Sequence, residues 1–310
     1  MLELIVSPTS YNLVENCDLC DAFILGEEQY SLRLAHYFSF EEIVDLMNIC
    51  KNRKQKIYIA VNKIVHEDEL DKIDKYLSKL SGLDIDGIIF GDLGVYNLAR
   101  KYNLVNKLIY NPETYVTNYE SVEFFAKKGI KKVSIAKEIT LDDVLLIGSK
   151  ELIDIDILGH GALNMFHSMR DLVTNYFKFL KDENANKYHN EQLYLIEEIR
   201  EEKYPILEDQ NGTHVFSEKD LCTIKYLDKF IENHIYGIRI DGIFKSDEEL
   251  INIIEIYRLA INDYRLNKQL YIDKKAKYLE NLENIENIRP FYEGFLFKKT
   301  IYKGGENGKN

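Results

Sequence analysis

Eight strand–helix units in series, an α/β fold of the (β/α)8, TIM-barrel-like kind with a long insertion between strands 7 and 8, are predicted here by three observations. Short β-branched and apolar runs recur at 2–6, 22–25, 57–61, 87–90, 108–110, 133–136, 153–158 and 236–240. Most are nearly uniformly apolar, the pattern of parallel strands buried on both faces. Amphipathic stretches with helix-start signals separate them, and βα units in such a series favour a barrel over a doubly wound open sheet.

The elements follow in order. The opening run, 2–6, reads as a first strand, being too short for the apolar core of a signal peptide and lacking a basic flank. Ser39–Glu42 forms an S-x-x-E capping box ahead of the second helix. Thr140–Asp143 is its aspartate variant, and Ser246–Glu249 precedes the last long helix. In that helix Leu250, Ile253, Ile254, Tyr257 and Ile261 recur at helical spacing. The seventh run is an exception, because Asp154 and Asp156 alternate with Ile153, Ile155 and Ile157.

About 75 residues then separate strands 7 and 8, far beyond an ordinary connection. Residues 181–203 are polar and rich in Asn and Glu, so 164–230 is expected to be an insertion over the top of the barrel, partly helical. The barrel is predicted over 1–268 and a C-terminal segment over 269–310. Within that segment 289–302 (RPFYEGFLFKKTIY) is expected to pack on the barrel and 304–310 to form a solvated tail.

Composition narrows the function. The chain carries 52 acidic and 40 basic side chains, a formal net charge of −12. Proteins that grip nucleic acid unaided carry a basic footprint, so any RNA contact would need a local patch or a partner. No segment reaches the roughly 18–20 apolar residues of a membrane span, and a cytoplasmic protein without membrane association is expected. Cys17 and Cys20 form a C-x-x-C with no second ligand pair, so no metal site is expected, and both read as buried packing residues. Lys51–Lys56 (KNRKQK), Lys131 and Lys132 precede strands 3 and 6 and read as solvated charge on the N-terminal face.

In a barrel, chemistry gathers at the C-terminal strand ends. Here these offer Ser7, Thr9, Glu27, Asn62, Asp92, Asn111, Glu113, Lys137, Glu138, His160, Arg239 and Asp241. His160, between Gly159 and Gly161, is a candidate general acid or base; the alternative is a hydrogen-bonded structural histidine. Glu27, Asp92 and Glu138 are further candidate catalytic carboxylates. Arg33, Lys137, Arg170 and Arg239 could capture a carboxylate or phosphate, or could neutralise the rim's own acids. Asn62, Glu113 and Asp241 complete the candidate binding set. His36, His66, His189 and His234 read as surface or packing residues.

Several segments occur together in an order that resembles the peptidase U-32 (collagenase-like) family: GEEQYSLRL (26–34), IYIAVN (57–62), GIIFGD (87–92), NPETYVTN (111–118), ILGHGAL (157–163), KYPILEDQNGTHVFSEKDLC (203–222) and IRIDG (238–242). The look-alikes are short-form members that occur beside a longer paralogue. Against that family's signature around strand 7, this chain keeps Gly161, Ala162, Leu163 and Val173. Asp156 replaces the signature Glu and Leu158 its aromatic residue, while Met169 stands for Gly and Thr174 for Ser. Asn164 and Asp171 stand where two cysteines belong, and of the four signature cysteines Cys222 alone remains.

Iron–sulfur clusters need cysteine thiolates, usually four, so the resemblance implies that this chain binds no cluster. The resemblance further implies participation in tRNA wobble-uridine hydroxylation dependent on prephenate, beside a longer, cysteine-bearing paralogue, and the acidic net charge argues that this partner supplies much of the tRNA surface. Arg33, Arg170 and Arg239 would then meet prephenate carboxylates or tRNA phosphate. The alternatives are a collagenase-like peptidase of undefined mechanism and a catalytically silent scaffold subunit. No Ser nucleophile elbow or H-E-x-x-H supports proteolysis.

Overall fold

The computed structural model describes residues 2–181, 193–197 and 202–298. The chain divides into two compact units, the first comprising residues up to Gly161, Cys222–Ile288 and the residues from Glu293. Ala162–Leu221 and Arg289–Tyr292 make the second.

The first unit is a closed barrel of eight parallel strands. In chain order its first seven are β1 (Glu3–Ser7), β2 (Ala22–Leu25), β3 (Lys56–Val61), β4 (Gly87–Phe90), β5 (Leu108–Tyr110), β6 (Lys132–Ser134) and β7 (Asp154–Ser168). The next three strands, β8 (Leu193–Glu197), β9 (Glu202–Asp209) and β10 (Gly212–Cys222), fall largely in the second unit. The eighth barrel strand, β11 (Gly237–Asp241), pairs with β1 on one side and β7 on the other, so no barrel edge is left open. Helices alternate with the barrel strands: α1 (Tyr11–Asn16), α2 (Phe40–Asn52), α3 (Leu70–Ser81), α4 (Leu93–Ala99), α5 (Tyr119–Lys127) and α6 (Leu141–Gly148). After α7 (Leu172–Phe179) of the second unit come α8 (Leu227–Glu232), α9 (Asp247–Leu266) and α10 (Lys268–Glu283).

The caps lie where the sequence places them. Ser39 and Ser246 close reciprocal boxes with Glu42 and Glu249, and the Thr140 hydroxyl accepts from Asp143 N. Helix α9 buries Leu250, Ile253, Ile254, Tyr257 and Ile261.

Because strand side chains alternate, register decides what enters the lumen. Ile5 aligns with Arg239 on one side and Ala22 on the other, and Ser134 aligns with Asp156. Ile5, Ala22, Ile24, Tyr58, Ala60, Ile89 and Ile109 form the apolar layer, with Leu34 packed against it. The same alternation explains the aspartates of the seventh strand: Asp156 faces inward, where Ser134 and Arg239 meet it.

Two expectations are corrected and two are given detail. The seventh strand does not stop at 158; it runs to Ser168, so His160 lies within it. Gly161, at φ +130°, serves a close approach, since a Cβ there would sit 2.8 Å from Cβ of Asp241.

Secondly, the bottom-face lysines are not all solvated. Lys132 is 6% exposed and pairs with Glu3, as does Lys56, while Lys131 is exposed as expected. Arg53 donates to the carbonyls of Val14, Glu15 and Cys17 at the end of α1.

Thirdly, the C-terminal segment contains α10, which buries Tyr271, Tyr278 and Leu282. Tyr271 donates to Ile224 O at 2.7 Å and Tyr278 to Asp263 at 2.5 Å. Phe291 and Tyr292 form β12, which pairs with β10 in the second unit.

Lastly, the described part of the insertion is partly helical, as α7 and the start of α8 show, but mainly antiparallel sheet, β8–β9–β10. There the buried Glu208 carboxylate accepts from Val173 N, Thr174 N and the Thr174 and Thr213 hydroxyls, fixing the start of α7. His189, most of 181–203, and the chain from 299 onward, including the expected tail, lie outside the described residues.

Candidate functional site at the C-terminal end of the barrel

The loop after β2 builds one wall of the site. Gly26 lets it fold back, because a Cβ there would collide with Ser31 and with Leu34 at 2.9 Å. Asn62, at the end of β3, pins the returning chain: its Oδ1 accepts from Leu32 N at 2.9 Å and its Nδ2 donates to Leu32 O at 3.3 Å. Both ends of the amide are therefore spent on positioning the loop. The result sets Leu34 against the apolar layer and Arg33 beside Glu113.

Glu113 is clasped by two cations, an ion pair to Arg33 and another to Lys137 Nζ at 3.2 Å. Burial pushes its carboxyl up, but the Arg33 and Lys137 charges and their hydrogen bonds outweigh this and hold it at about 2. Arg33 at φ +54° and Glu113 at φ +65° both have left-handed backbone, which is uncommon for residues with a Cβ. Strain of this kind persists where surrounding contacts over-determine it, and it concentrates at ligand clamps. One carboxylate against two cations leaves one positive charge in excess within this cluster.

Beside this clamp in the barrel's polar inventory is a second group. Arg239 Nε lies 2.9 Å from Asp156 Oδ1, to which Ser134 also donates at 2.6 Å. Asp156 is 2% exposed, and the Arg239 side chain 18%. The guanidinium therefore neutralises the aspartate from the more open side. Sequence reasoning named Arg239 but missed Asp156 and Ser134 as its partners. The alternation of Asp154 and Asp156 was the signal that could have found them.

The four candidate catalytic residues are placed differently from one another. His160 is fully buried on the helix side of β7, with its ring against Tyr257 of α9 and Nδ1 3.4 Å from the Tyr257 hydroxyl. Asp92 caps α4: Oδ1 accepts from Gly94 N at 2.7 Å and Oδ2 from Val65 N at 3.2 Å. Glu27 is half-buried, and burial raises its carboxyl above the ordinary range. Glu138 is half-buried after β6. Among the described residues, Glu27, Asp92 and Glu138 share no hydrogen bond or ion pair with one another.

Of the candidate binding set, Arg33, Glu113 and Lys137 are brought together and Arg239 is held by Asp156. Asp241 accepts from Ile243 N at 2.9 Å and turns the chain after β11. Arg170 is exposed and belongs to the second unit. Ser7 and Asn111 are buried at their strand ends, and Thr9 donates to Asp247.

No group of three or more His, Cys, Asp or Glu could hold a metal ion among the described residues. The donor set at the family's cluster positions does not fit an iron–sulfur cluster either. Asn164 donates to Phe166 O, Asp171 precedes α7, and Cys222 lies within sulfur hydrogen-bond range of Tyr257, 3.8 Å away. An amide and a carboxylate are hard donors that cannot replace thiolate. No helix of the described residues is long and apolar enough to cross a membrane.

Comparison with known proteins places this geometry in a family. Residues 18–304 match the family model described as Peptidase family U32. The chain is 35% identical to tRNA hydroxylation protein P2 of Bacillus subtilis (strain 168), over 97% of this chain and 99% of that protein. It is 25% identical to tRNA hydroxylation protein P1 of the same strain, over 88% of this chain but 66% of that longer protein. A protein named uncharacterized protease MJ0090, from Methanocaldococcus jannaschii, is 27% identical over 90% of this chain and 68% of its own length. The family-model match over nearly the whole sequence and the 35% identity to a relative aligned almost end to end lead to one conclusion: this chain belongs to Peptidase family U32.

Proposed function

We propose that this protein takes part in tRNA wobble-uridine hydroxylation, as the short, cluster-free partner of a longer U32 relative. The observation that carries the reading is the end-to-end match to tRNA hydroxylation protein P2, which leaves neither chain a substantial unmatched region. The site supports it in kind. Arg33, Lys137 and Arg239 offer guanidinium and ammonium donors suited to a small carboxylate such as prephenate, or to phosphate. The net charge of −12 supports a reading in which the partner supplies much of the tRNA surface.

The partner reading draws on two further facts. One organism carries both P1 and P2. Exposed large apolar side chains also concentrate on the second unit, among them Met165, Phe166, Met169, Tyr176, Phe179 and Ile196. Exposed apolar surface of this kind commonly marks an interaction site.

Mass spectrometry of tRNA nucleosides from cells with and without this gene tests the proposal. Loss of hydroxylated wobble uridine, restored by complementation, is the expected result. An unchanged profile with any redundant paralogue also deleted would remove it.

A further inference from the structure

Away from the rim, three of the four cysteines gather where α1 hands over to β2. Cys17 is the C-terminal cap of α1, and Cys20 lies two residues before the start of β2. Cys50 comes from the last turn of α2. All three are buried, at 6%, 3% and 0% exposure, and none is in a disulfide. Between the first two, Asp18 is exposed and Leu19 half-buried, so the C-x-x-C is a turn whose tip faces solvent while its thiols point in.

The turn is gripped from both sides. Gln55, 7% exposed, reaches three of its atoms with one nitrogen: Nε2 lies 3.1 Å from Cys17 O, 3.0 Å from Cys20 O and 3.5 Å from Cys20 Sγ. Arg258 of α9 donates to Leu19 O at 2.5 Å and pairs with Asp21 at 2.8 Å. Asp21 in turn accepts from Leu4 N at 2.8 Å, tying the turn to β1. A turn folded around a single amide brings its first and fourth residues together.

The electrostatics agree with that geometry. A hydrogen bond from Cys20 lowers the Cys17 thiol to about 7, against the opposing effect of burial, while burial and the Cys17 charge push Cys20 well up. Cys50 is raised to about 11, chiefly by burial. One attacking thiol, one resolving thiol and one inert neighbour is the division of labour that disulfide exchange requires.

We infer that Cys17 and Cys20 are a redox-reversible dithiol, a modification site on the N-terminal face of the barrel that a small-molecule disulfide converts to an intramolecular disulfide. The Cys17 thiolate attacks one sulfur of the oxidant, forming a mixed disulfide and expelling one small-molecule thiolate, which takes up the Cys17 proton. Cys20 then loses its proton and attacks Cys17 Sγ, expelling the second small-molecule thiolate, which takes up that proton. The oxidant is reduced to two thiols and the protein loses two hydrogens. Holding both thiols in one rigid turn removes most of the entropy cost of the second step.

The test uses the native full chain treated with glutathione disulfide, then differential alkylation and peptide mass spectrometry. The expected product is a single Cys17–Cys20 link, with both thiols shielded from alkylation, Cys50 still alkylated after denaturation, and full reversal by dithiothreitol. In Cys20→Ser, a glutathione adduct on Cys17 should accumulate because the resolving thiol is gone. With a small alkylating agent at neutral pH, Cys17 should react at least about tenfold faster than Cys50. A Cys17–Cys50 link, a stable adduct on Cys17 in the unmutated protein, or no oxidation of native protein would each overturn the inference.

Discussion

The two ends of the barrel solve the same electrostatic problem in different ways. At the N-terminal end Glu3 is held by Lys132 at 2.6 Å and Lys56 at 2.7 Å, with the Tyr58 hydroxyl donating at 2.8 Å. At the C-terminal end Glu113 is held by Arg33 and Lys137. Each is one carboxylate between two cations, and in each burial raises the acid while the cations lower it further.

The supports differ. Glu3, Lys56, Tyr58 and Lys132 all stand on regular strands, with Glu3 and Lys132 side chains 5% and 7% exposed. Arg33, Glu113 and Lys137 stand on loops, two of them with left-handed backbone, and the Glu113 side chain is 26% exposed. On regular strands, with the Glu3–Lys132 pair shielded from water and only Lys56 reaching solvent, the first cluster serves stability, whereas the strained, loop-borne one is the group proposed to clamp a ligand.

That contrast can be broken by experiment, beginning with the largest effect. Lys132→Met leaves Glu3 buried with one cation fewer and should cost about 3–5 kcal/mol of stability, read by denaturant unfolding. A loss below about 1 kcal/mol would remove the bottom cluster from the stabilising side of the comparison.

Arg239→Met should cost somewhat less, about 2–3 kcal/mol, because Ser134 still donates to Asp156. The double change Asp156→Asn with Arg239→Met should recover most of that stability without recovering function. If both return together, Arg239 serves folding alone.

Glu113→Gln is expected to cost about 2 kcal/mol at neutral pH, since it leaves the largely buried Arg33 and Lys137 charges without their carboxylate. Its signature is acid dependence. The carboxyl is lower in the folded protein, at about 2, than in the unfolded chain. Its contribution is therefore complete above the ordinary carboxylate range and fades as pH falls toward 2. Unfolding curves of the wild type and this variant should converge across that window; curves that stay parallel would show that the clamp does not depend on the Glu113 charge.

Arg170→Ala, on the exposed surface of the second unit, should shift stability by less than about 0.5 kcal/mol. A larger shift would mean that Arg170 is part of that unit's packing.

The barrel was legible because parallel strands buried on both faces write themselves as apolar runs, and the caps at Ser39, Thr140 and Ser246 are local chemistry. The bottom cluster was not. Glu3 sits inside an apolar run, and Lys56 and Lys132 sit at the ends of basic stretches, where solvation is the ordinary outcome. Only register, a property of paired strands, turns all three inward. His160 looked like a strand-end residue because Gly159 and Gly161 suggested a turn; the strand continues because Gly161 admits Asp241 of β11. Arg33, Glu113 and Lys137 were named singly, but their meeting depends on how Asn62 fastens the loop after β2.

The most direct test of the contrast is complementation of a deletion strain, with hydroxylated wobble uridine measured by mass spectrometry at matched protein levels. Arg33→Met with Glu113→Gln should restore less than about a tenth of the modification, the loss expected of a disrupted ligand clamp, while Glu3→Gln with Lys132→Met, supplied as soluble protein at the same level, should restore most of it. Equal restoration by the two double variants would contradict the assignment of function to the C-terminal clamp and stability to the N-terminal cluster.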